Sequence, residues 1–274
     1  MASVAPAPAA AIASTYADRL AGALWGLHIG DALAMPTHWY YGGARQVMAD
    51  YGDIKGYVKP KVDLQGSIMA LSNTGGAGRG GFDGDLIGTV LAHGKKKYWE
   101  RARSYHYHCT LDKGENTVDC DVVRVCYQSI TANGGRLDIE DLRQRYVAFM
   151  TTPGTYNDCY INTSHRMFFA NRLKGKPLEE CPDNDNHNVD TTDGLVVLVP
   201  VALATAGLPR QQAHEQIAAT VSVMRRSVPC QRYGAALSDM LHDLLTGKSL
   251  KEVLESAGGK KLEAALRQSD PVVA

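Results

Sequence analysis

The sequence predicts an all-α fold in a single domain over residues 16–274. Apolar residues recur at helical spacing through most of the chain, whereas the alternation typical of strands is scarce. The one strand-like stretch, residues 54–64, contains Pro60, and proline is confined to edge strands. A chain of 274 residues with 45% hydrophobic content can also bury one large core.

The first predicted helix, residues 20–33, is apolar on nearly every side. A helix with this pattern is expected in the middle of the core. Gly26 and Gly30 would let a second helix approach closely. We therefore expect leucine at either glycine to be strongly destabilising through overpacking.

Further helices are predicted from periodicity and from start and stop signals. The sequence NGG at 133–135 ends a helix that begins near Thr117, and an acidic first turn opens the next one. Pro200 should kink a later helix or lie in its first turns. The predicted helices after the first are 117–132, 138–150, 162–173, 193–206, 211–226, 233–245 and 250–256. The long polar loops at 35–85, 100–117 and 151–192 are expected to carry function.

The composition predicts the cellular compartment of the protein and excludes some classes of partner. Residues 1–15 are rich in Ala and Pro and predict a disordered tail, without the features of a secretory signal or the arginines of a transit peptide. No apolar run approaches the ~18 residues that suggest a membrane span. The formal net charge is zero, so neither nucleic acid nor a membrane surface is an expected partner. Six cysteines form no CxxC pair and are expected to be reduced thiols in the cytoplasm.

Asp31 interrupts the apolar pattern of the first helix directly after Gly30. An acid at the end of a buried helix can face a cleft, where it holds loops in place or joins the outer shell of a metal. It can equally cap a neighbouring turn. The sequence leaves both interpretations open.

Two other stretches have a functional interpretation beside a plainer one. The glycine-rich residues 73–85 can wrap a phosphate, but a flexible surface loop is favoured because the pattern of a P-loop is absent. His106 and His108, with His38, His165 and His187 in loops or helix starts, can join carboxylates in a transition-metal site. Hydrogen-bonded histidines without an ion are favoured, since no HxxxH or comparable spacing occurs.

Four segments, taken in order, resemble the ADP-ribosylglycohydrolase family, which includes the dinitrogenase-reductase-activating glycohydrolases and the J1 crystallins. The first, GALWGLHIGDALAMP, is similar to the family pattern GxxxGDAxGxP at Gly26, Gly30, Asp31, Ala32 and Pro36. The others are GENTVDCDVVRVCYQSI, YNDCYINTSHRMFFANRLKGKP and NVDTTDGLVVLVPVALA. The resemblance implies the orthogonal multi-helix bundle of that family.

The resemblance also implies a function and a set of site residues. The implied activity is hydrolysis of an ADP-ribosyl glycosidic bond, with ADP-ribose or an ADP-ribosylated protein as ligand and a pair of Mg²⁺ or Mn²⁺ ions as cofactor. Glu115 is the implied catalytic residue. The implied metal ligands are Asp31, His38, Glu115 and Asn116. The implied substrate-binding residues are Tyr156, Asn157, Asp158, Asn162, Thr163 and Thr192.

The sequence departs from the family pattern at its metal motifs. His38 stands where the family has an acid, and the family's TDDT becomes GENT at 114–117. The family's second metal motif is expected beyond residue 274, so the domain is expected to be C-terminally truncated. Two hypotheses follow: a hydrolase, or a non-catalytic protein that binds ADP-ribose or serves as a scaffold without a metal. The second predicts that hydrolysis is absent or very low and does not rise with added metal.

Overall fold

A computed structural model describes residues 15–76 and 84–259 of the chain. Ten α-helices lie in these ranges: α1 (Tyr16–Ala34), α2 (Gly43–Tyr51), α3 (Val118–Ala132), α4 (Ile139–Thr151), α5 (Thr163–Leu173), α6 (Asp193–Val196), α7 (Val199–Ala204), α8 (Arg210–Met224), α9 (Val228–Leu245) and α10 (Leu250–Ala257). Strand-type pairing in the described ranges is limited to isolated bridges, such as Asp63 with Tyr105. The prediction of an all-α fold is confirmed.

Three predictions concern residues outside these ranges. The tail at 1–14, most of the glycine-rich stretch at 73–85, and residues 260–274 are not among the described residues. In the part of the chain that the structure describes, no helix has the length and apolarity needed to cross a membrane. All six cysteines are buried free thiols.

Helix α3 is largely buried in the core. Thr117 caps its start by accepting a hydrogen bond from the Cys120 amide, and Asp119 lies in its first turn, where a negative charge favours a helix N-terminus. The helix ends before Gly134, whose φ of 66° lies in the left-handed region that glycine adopts without strain. Its buried side chains meet α1, α4, α6 and α7. The largest buried aromatic side chains of the surrounding core are Trp99, Tyr107, Tyr146, Phe168 and Phe169.

The prediction that α1 occupies the middle of the core is wrong. Only Ala32 of this helix is fully buried, and Trp25 is 69% exposed. One face of α1, with Leu24 and Leu27, packs on a small apolar cluster that includes Leu203. On the other face, among the described residues, nothing lies within contact distance of a side chain built at the α1 glycines. Apolar residues all round a helix therefore did not translate into burial all round it.

The expectation that leucine at Gly26 or Gly30 overpacks a neighbouring helix fails for the same reason. A methyl group added at Gly26 meets no atom within 4 Å in the described structure. We now expect Gly26→Ala to raise the free energy of unfolding by about 0.5–1 kcal/mol, because alanine has the higher helix propensity. Gly194→Ala is the contrasting variant, because its new Cβ would lie 2.7 Å from the Arg225 guanidinium. Urea unfolding that shows a loss for Gly26→Ala would contradict the open surface of α1.

The segment around Pro200 forms two short helices rather than one kinked helix. α6 ends at Val196, and α7 begins at Val199 with Pro200 in its first turn, where the missing amide hydrogen is tolerated. This agrees with one of the two placements that the sequence allowed. The break lets α6 present Asp193 toward the starts of α3 and α5 while α7 packs in the core.

Candidate functional site

A polar cleft lies where the end of α1 meets the starts of α3, α5 and α6. We call it the central cleft and define it by Asp31, His38, Trp39, Asp119, Asn162 and Asp193. It consists of two cavities of about 260 and 410 Å³, which share His38, Trp39, Asp119 and Asp193 as lining. Thr163 and Thr192, predicted to bind substrate, also line it.

Asp31 holds the start of α3. Its carboxylate accepts hydrogen bonds from the Thr117 amide at 2.8 Å, the Thr117 hydroxyl at 2.7 Å and the Asn116 side-chain amide at 2.9 Å. Asn116 also donates to the carbonyl of His28 at 2.8 Å. The geometry therefore matches the interpretation in which Asp31 caps a neighbouring turn and fixes its loop.

Asn162 bridges two carboxylates in the cleft. Its side-chain NH₂ donates to Asp119 at 2.7 Å and to Asp193 at 2.8 Å, while its carbonyl oxygen caps α5 by accepting from the His165 amide at 3.1 Å. Arg225 donates to both oxygens of Asp193 at 3.3 Å. The bridge keeps two negative groups on one wall of the cleft.

His165 sets the ionisation of Asp119. Its Nε2 lies 3.0 Å from the Asp119 carboxylate, and its Nδ1 lies 2.6 Å from the Tyr146 hydroxyl. Burial opposes ionisation of Asp119, but the hydrogen bond with His165 and the nearby positive charges, including that of Arg225, outweigh burial and lower the pKa of Asp119. Asp119 is thus a carboxylate that can accept hydrogen bonds from a ligand.

A chain of three polar side chains runs from the interior to the cleft. The buried Asp158 carboxylate lies 2.9 Å from His108 Nδ1, and His108 Nε2 lies 2.6 Å from His38 Nδ1. Burial disfavours charge on His108, but the charge and hydrogen bond of Asp158 outweigh it and raise the pKa of His108. Burial, together with the charge of His108, lowers the pKa of His38 to about 3.

These opposed shifts assign the protons of the two rings. At a pH where His108 is protonated and His38 is neutral, His108 donates a hydrogen bond to His38 Nδ1, and His38 keeps its own hydrogen on Nε2. His38 lines both cavities of the central cleft. In that state His38 offers the cleft a hydrogen-bond donor rather than a lone pair.

The remaining predicted site residues surround a second cavity. We call it the lateral cavity; it has a volume of about 630 Å³, and its lining includes Glu115, Asn116, Tyr156 and Asn157. Glu115 accepts hydrogen bonds from the Asp112 amide at 2.6 Å and from the Asn157 side chain at 3.1 Å. The structure thus places the predicted catalytic Glu115 apart from the cleft that contains Asp31 and His38.

Asp158 links the central cleft to the lateral cavity, but its side chain lines neither of them. Its side chain is fully buried against His108, and its backbone carbonyl accepts from Lys95 of the lateral cavity at 3.2 Å. The predicted substrate-binding residues therefore fall into three groups: Asn162, Thr163 and Thr192 in the central cleft, Tyr156 and Asn157 at the lateral cavity, and Asp158 beneath both.

The side chains do not form a binding site for the implied pair of divalent cations. Mg²⁺ and Mn²⁺ prefer several oxygen ligands around one point. The oxygens of Asp31 already accept from Thr117 and Asn116, and Glu115 belongs to the other cavity. Across residues 15–76 and 84–259, no group of three or more His, Cys, Asp or Glu side chains is placed to hold a metal ion. The described residues therefore do not form a site that fits the implied pair of Mg²⁺ or Mn²⁺ ions.

Sequence reasoning left out several residues of the cleft. Asp193 begins a helix after two threonines, a pattern that favours a helix start, and Trp39 lies in the aromatic run HWYY shortly after the first family-like segment. Both signals were available. The role of Arg225 could not be predicted from the sequence, because its partner Asp193 is 32 residues away.

Comparison with known proteins adds one match. The family model described as ADP-ribosylglycohydrolase matches residues 13–273 of the chain. No curated protein matches the chain.

Proposed function

Because the chain belongs to the ADP-ribosylglycohydrolase family, we propose that its central cleft recognises an ADP-ribosyl group. The observation that carries the proposal is the start of α5. The amides of Thr163 and Ser164, its first two residues, have no acceptor among the described residues, and Thr163 lines the cleft. Free amides at the start of a helix bind phosphate oxygens.

The other walls of the cleft complement the sugar. Asp119 and Asp193 are acceptors for the hydroxyl groups of a ribose. His38 lines the same space. A ligand that combines a diphosphate with a ribose diol satisfies both the free amides and the carboxylates, whereas either half alone satisfies only one set.

The test is binding of ADP-ribose to Asn162→Asp. Aspartate still caps α5, but it replaces the donor between Asp119 and Asp193 with a third negative charge. We expect the Kd for ADP-ribose to rise about tenfold or more through charge repulsion in the cleft. In the wild type, ADP-ribose should raise the melting temperature by mass action.

Asn157→Asp is the matched control, since it adds the same charge at the lateral cavity. It should leave the Kd for ADP-ribose unchanged. Equal weakening in both variants, or in neither, would remove the assignment to the central cleft. Asn162→Ser, which keeps a cap without adding charge, separates repulsion from loss of the helix start.

Hydrolysis of the glycosidic bond is the second candidate function. It is favoured by three carboxylates, those of Asp31, Asp119 and Asp193, around one cavity. Because the described residues gather no metal site, we expect release of ADP-ribose from ADP-ribosylated arginine or serine to be absent or very low, without a rise on addition of Mg²⁺ or Mn²⁺. Robust metal-dependent release that is lost in Glu115→Ala would place catalysis at the lateral cavity instead.

A further inference from the structure

Two of the six buried cysteines are in contact with each other. Cys109 Sγ lies 3.8 Å from Cys159 Sγ, although the two residues are 50 positions apart in the sequence. In a disulfide the sulfur atoms are about 2.0 Å apart, so these thiols need to approach by about 1.8 Å to bond. Three other cysteines direct their sulfur atoms to a ring nitrogen or to backbone carbonyls instead: Cys120, Cys181 and Cys230. We call Cys109 and Cys159 the thiol pair.

Hydrogen bonds between neighbouring residues hold together the two segments that carry the thiol pair. The Thr110 hydroxyl donates to the Asn157 carbonyl at 2.6 Å, and the Asn157 side chain donates to the Thr110 carbonyl at 2.7 Å. The residues that directly precede the cysteines also pair, with His108 Nδ1 at 2.9 Å from the Asp158 carboxylate. Because the segments are already joined in this way, rotation of the two cysteine side chains is the movement that brings the sulfur atoms together.

The two thiols differ in their access to solvent. Cys109 is 9% exposed, whereas Cys159 is fully buried. Burial, together with its contact with Cys109, raises the pKa of Cys159 well above the ordinary value, and the thiolate is the form that reacts. The ammonium of Lys95, which donates to the Asp158 carbonyl at 3.2 Å, attracts negative charge on either sulfur and so favours a thiolate. Cys109 is therefore the thiol that an oxidant reaches first, with Cys159 in contact to complete the reaction.

We propose that the thiol pair is a site of reversible oxidation, at which hydrogen peroxide converts Cys109 and Cys159 to a disulfide. Peroxide transfers one oxygen to the Cys109 sulfur, which gives a sulfenic acid and one water. The Cys159 sulfur then bonds to the Cys109 sulfur, and the sulfenic hydroxyl leaves with the thiol proton as a second water. The two sulfur atoms together lose the two electrons that reduce the peroxide. In compartments that keep thiols reduced, disulfides of this kind are transient and serve redox sensing or catalysis.

The experiment treats the folded full-length chain with hydrogen peroxide, blocks the remaining thiols with N-ethylmaleimide and maps the tryptic peptides by mass spectrometry. Cys109 and Cys159 fall in separate peptides, 104–113 and 146–166, and each peptide contains a single cysteine. We expect these two peptides to become joined and the number of free thiols to fall from six by two. Dithiothreitol, a small dithiol, should restore all six by thiol–disulfide exchange.

Two variants test the order of the steps. Cys159→Ala leaves Cys109 without a partner, so its sulfenic acid should persist and be trapped by dimedone. Cys126→Ala is the matched control, because Cys126 is also fully buried, within α3, and its loss should leave the rate of bond formation unchanged.

The peptide map of the wild type decides the question even where a variant fails to fold. A wild-type chain that keeps all six thiols under peroxide would overturn the proposal, and so would one that joins a different pair of peptides. Oxidation of Cys109 that stops at a sulfinic acid without bonding to Cys159 would overturn it as well.

Discussion

Replacing Asp158 with alanine is expected to lower the free energy of unfolding by about 3–5 kcal/mol, because it removes the counter-charge of the buried His108 ring, whose pKa Asp158 raises. The carboxylate also accepts from the amides of Val118 at 3.1 Å and Tyr160 at 3.2 Å, and both would lose their partner. Urea unfolding followed by circular dichroism measures the change. The loss is large relative to the total stability of an ordinary domain.

Two comparisons identify the cause of that loss. Asp158→Asn keeps the shape and one acceptor but removes the charge, so it should lose less than Asp158→Ala. Asp63→Ala removes an ion pair with Arg103, at 2.6 Å, on the surface, where solvent screening makes the loss much smaller. A cost for Asp158→Ala no larger than that for Asp63→Ala would show that His108 is not a buried cation.

Local signals predicted most of the helices, because they act over a few residues. The acidic first turn of α4 and the glycines after α3 lie next to the ends that they specify. The burial of α1 could not be predicted in the same way, since burial depends on what covers a face. Because α1 has apolar residues all round, any of its faces could be buried. The described neighbours cover only the face of Leu24 and Leu27.

In the candidate site, too, residues within one motif could be predicted, whereas contacts between distant segments of the chain could not. The pattern at 115–117 placed Glu115 beside Thr117 in the chain, but the turn into α3 directs them to different cavities. The pairing of His108 with Asp158 spans 50 residues, and no spacing rule joins them. Residue types of the site were therefore predictable where a motif holds them together, and their partners were not.

His106 is expected to make stability fall steeply in mild acid. The ring is fully buried; its Nε2 donates to the Pro36 carbonyl at 3.0 Å, and its Nδ1 accepts from the His108 amide at 3.0 Å. Both nitrogens are thus used by the neutral form. Burial, together with the charge of His108, lowers the pKa of His106 to about 4.

The sign of the effect follows from the unfolded state. An unfolded histidine has a pKa of about 6.5. Between pH 6.5 and about 4 the unfolded chain therefore binds a proton that folded His106 does not. Stability contributed by neutral His106 is complete above pH 6.5 and is lost at about 1.4 kcal/mol per pH unit below it. His106→Gln removes this titration, so between pH 7 and 4.5 it should lose about 2–3 kcal/mol less than the wild type.

The comparison with His106→Gln isolates one residue from the others that titrate in the same range. The pKa of His38 is also lowered, to about 3, and burial raises the pKa of Asp121 to about 7, but both groups are present in the two proteins and cancel to first order. Between pH 7 and 8 the free energies of unfolding should run parallel, because His106 is then neutral in both states. Urea unfolding at each pH gives the two curves. Curves that stay parallel down to pH 4.5 would mean that folded His106 accepts a proton, and the hydrogen bond from the His108 amide to its ring would then have to break.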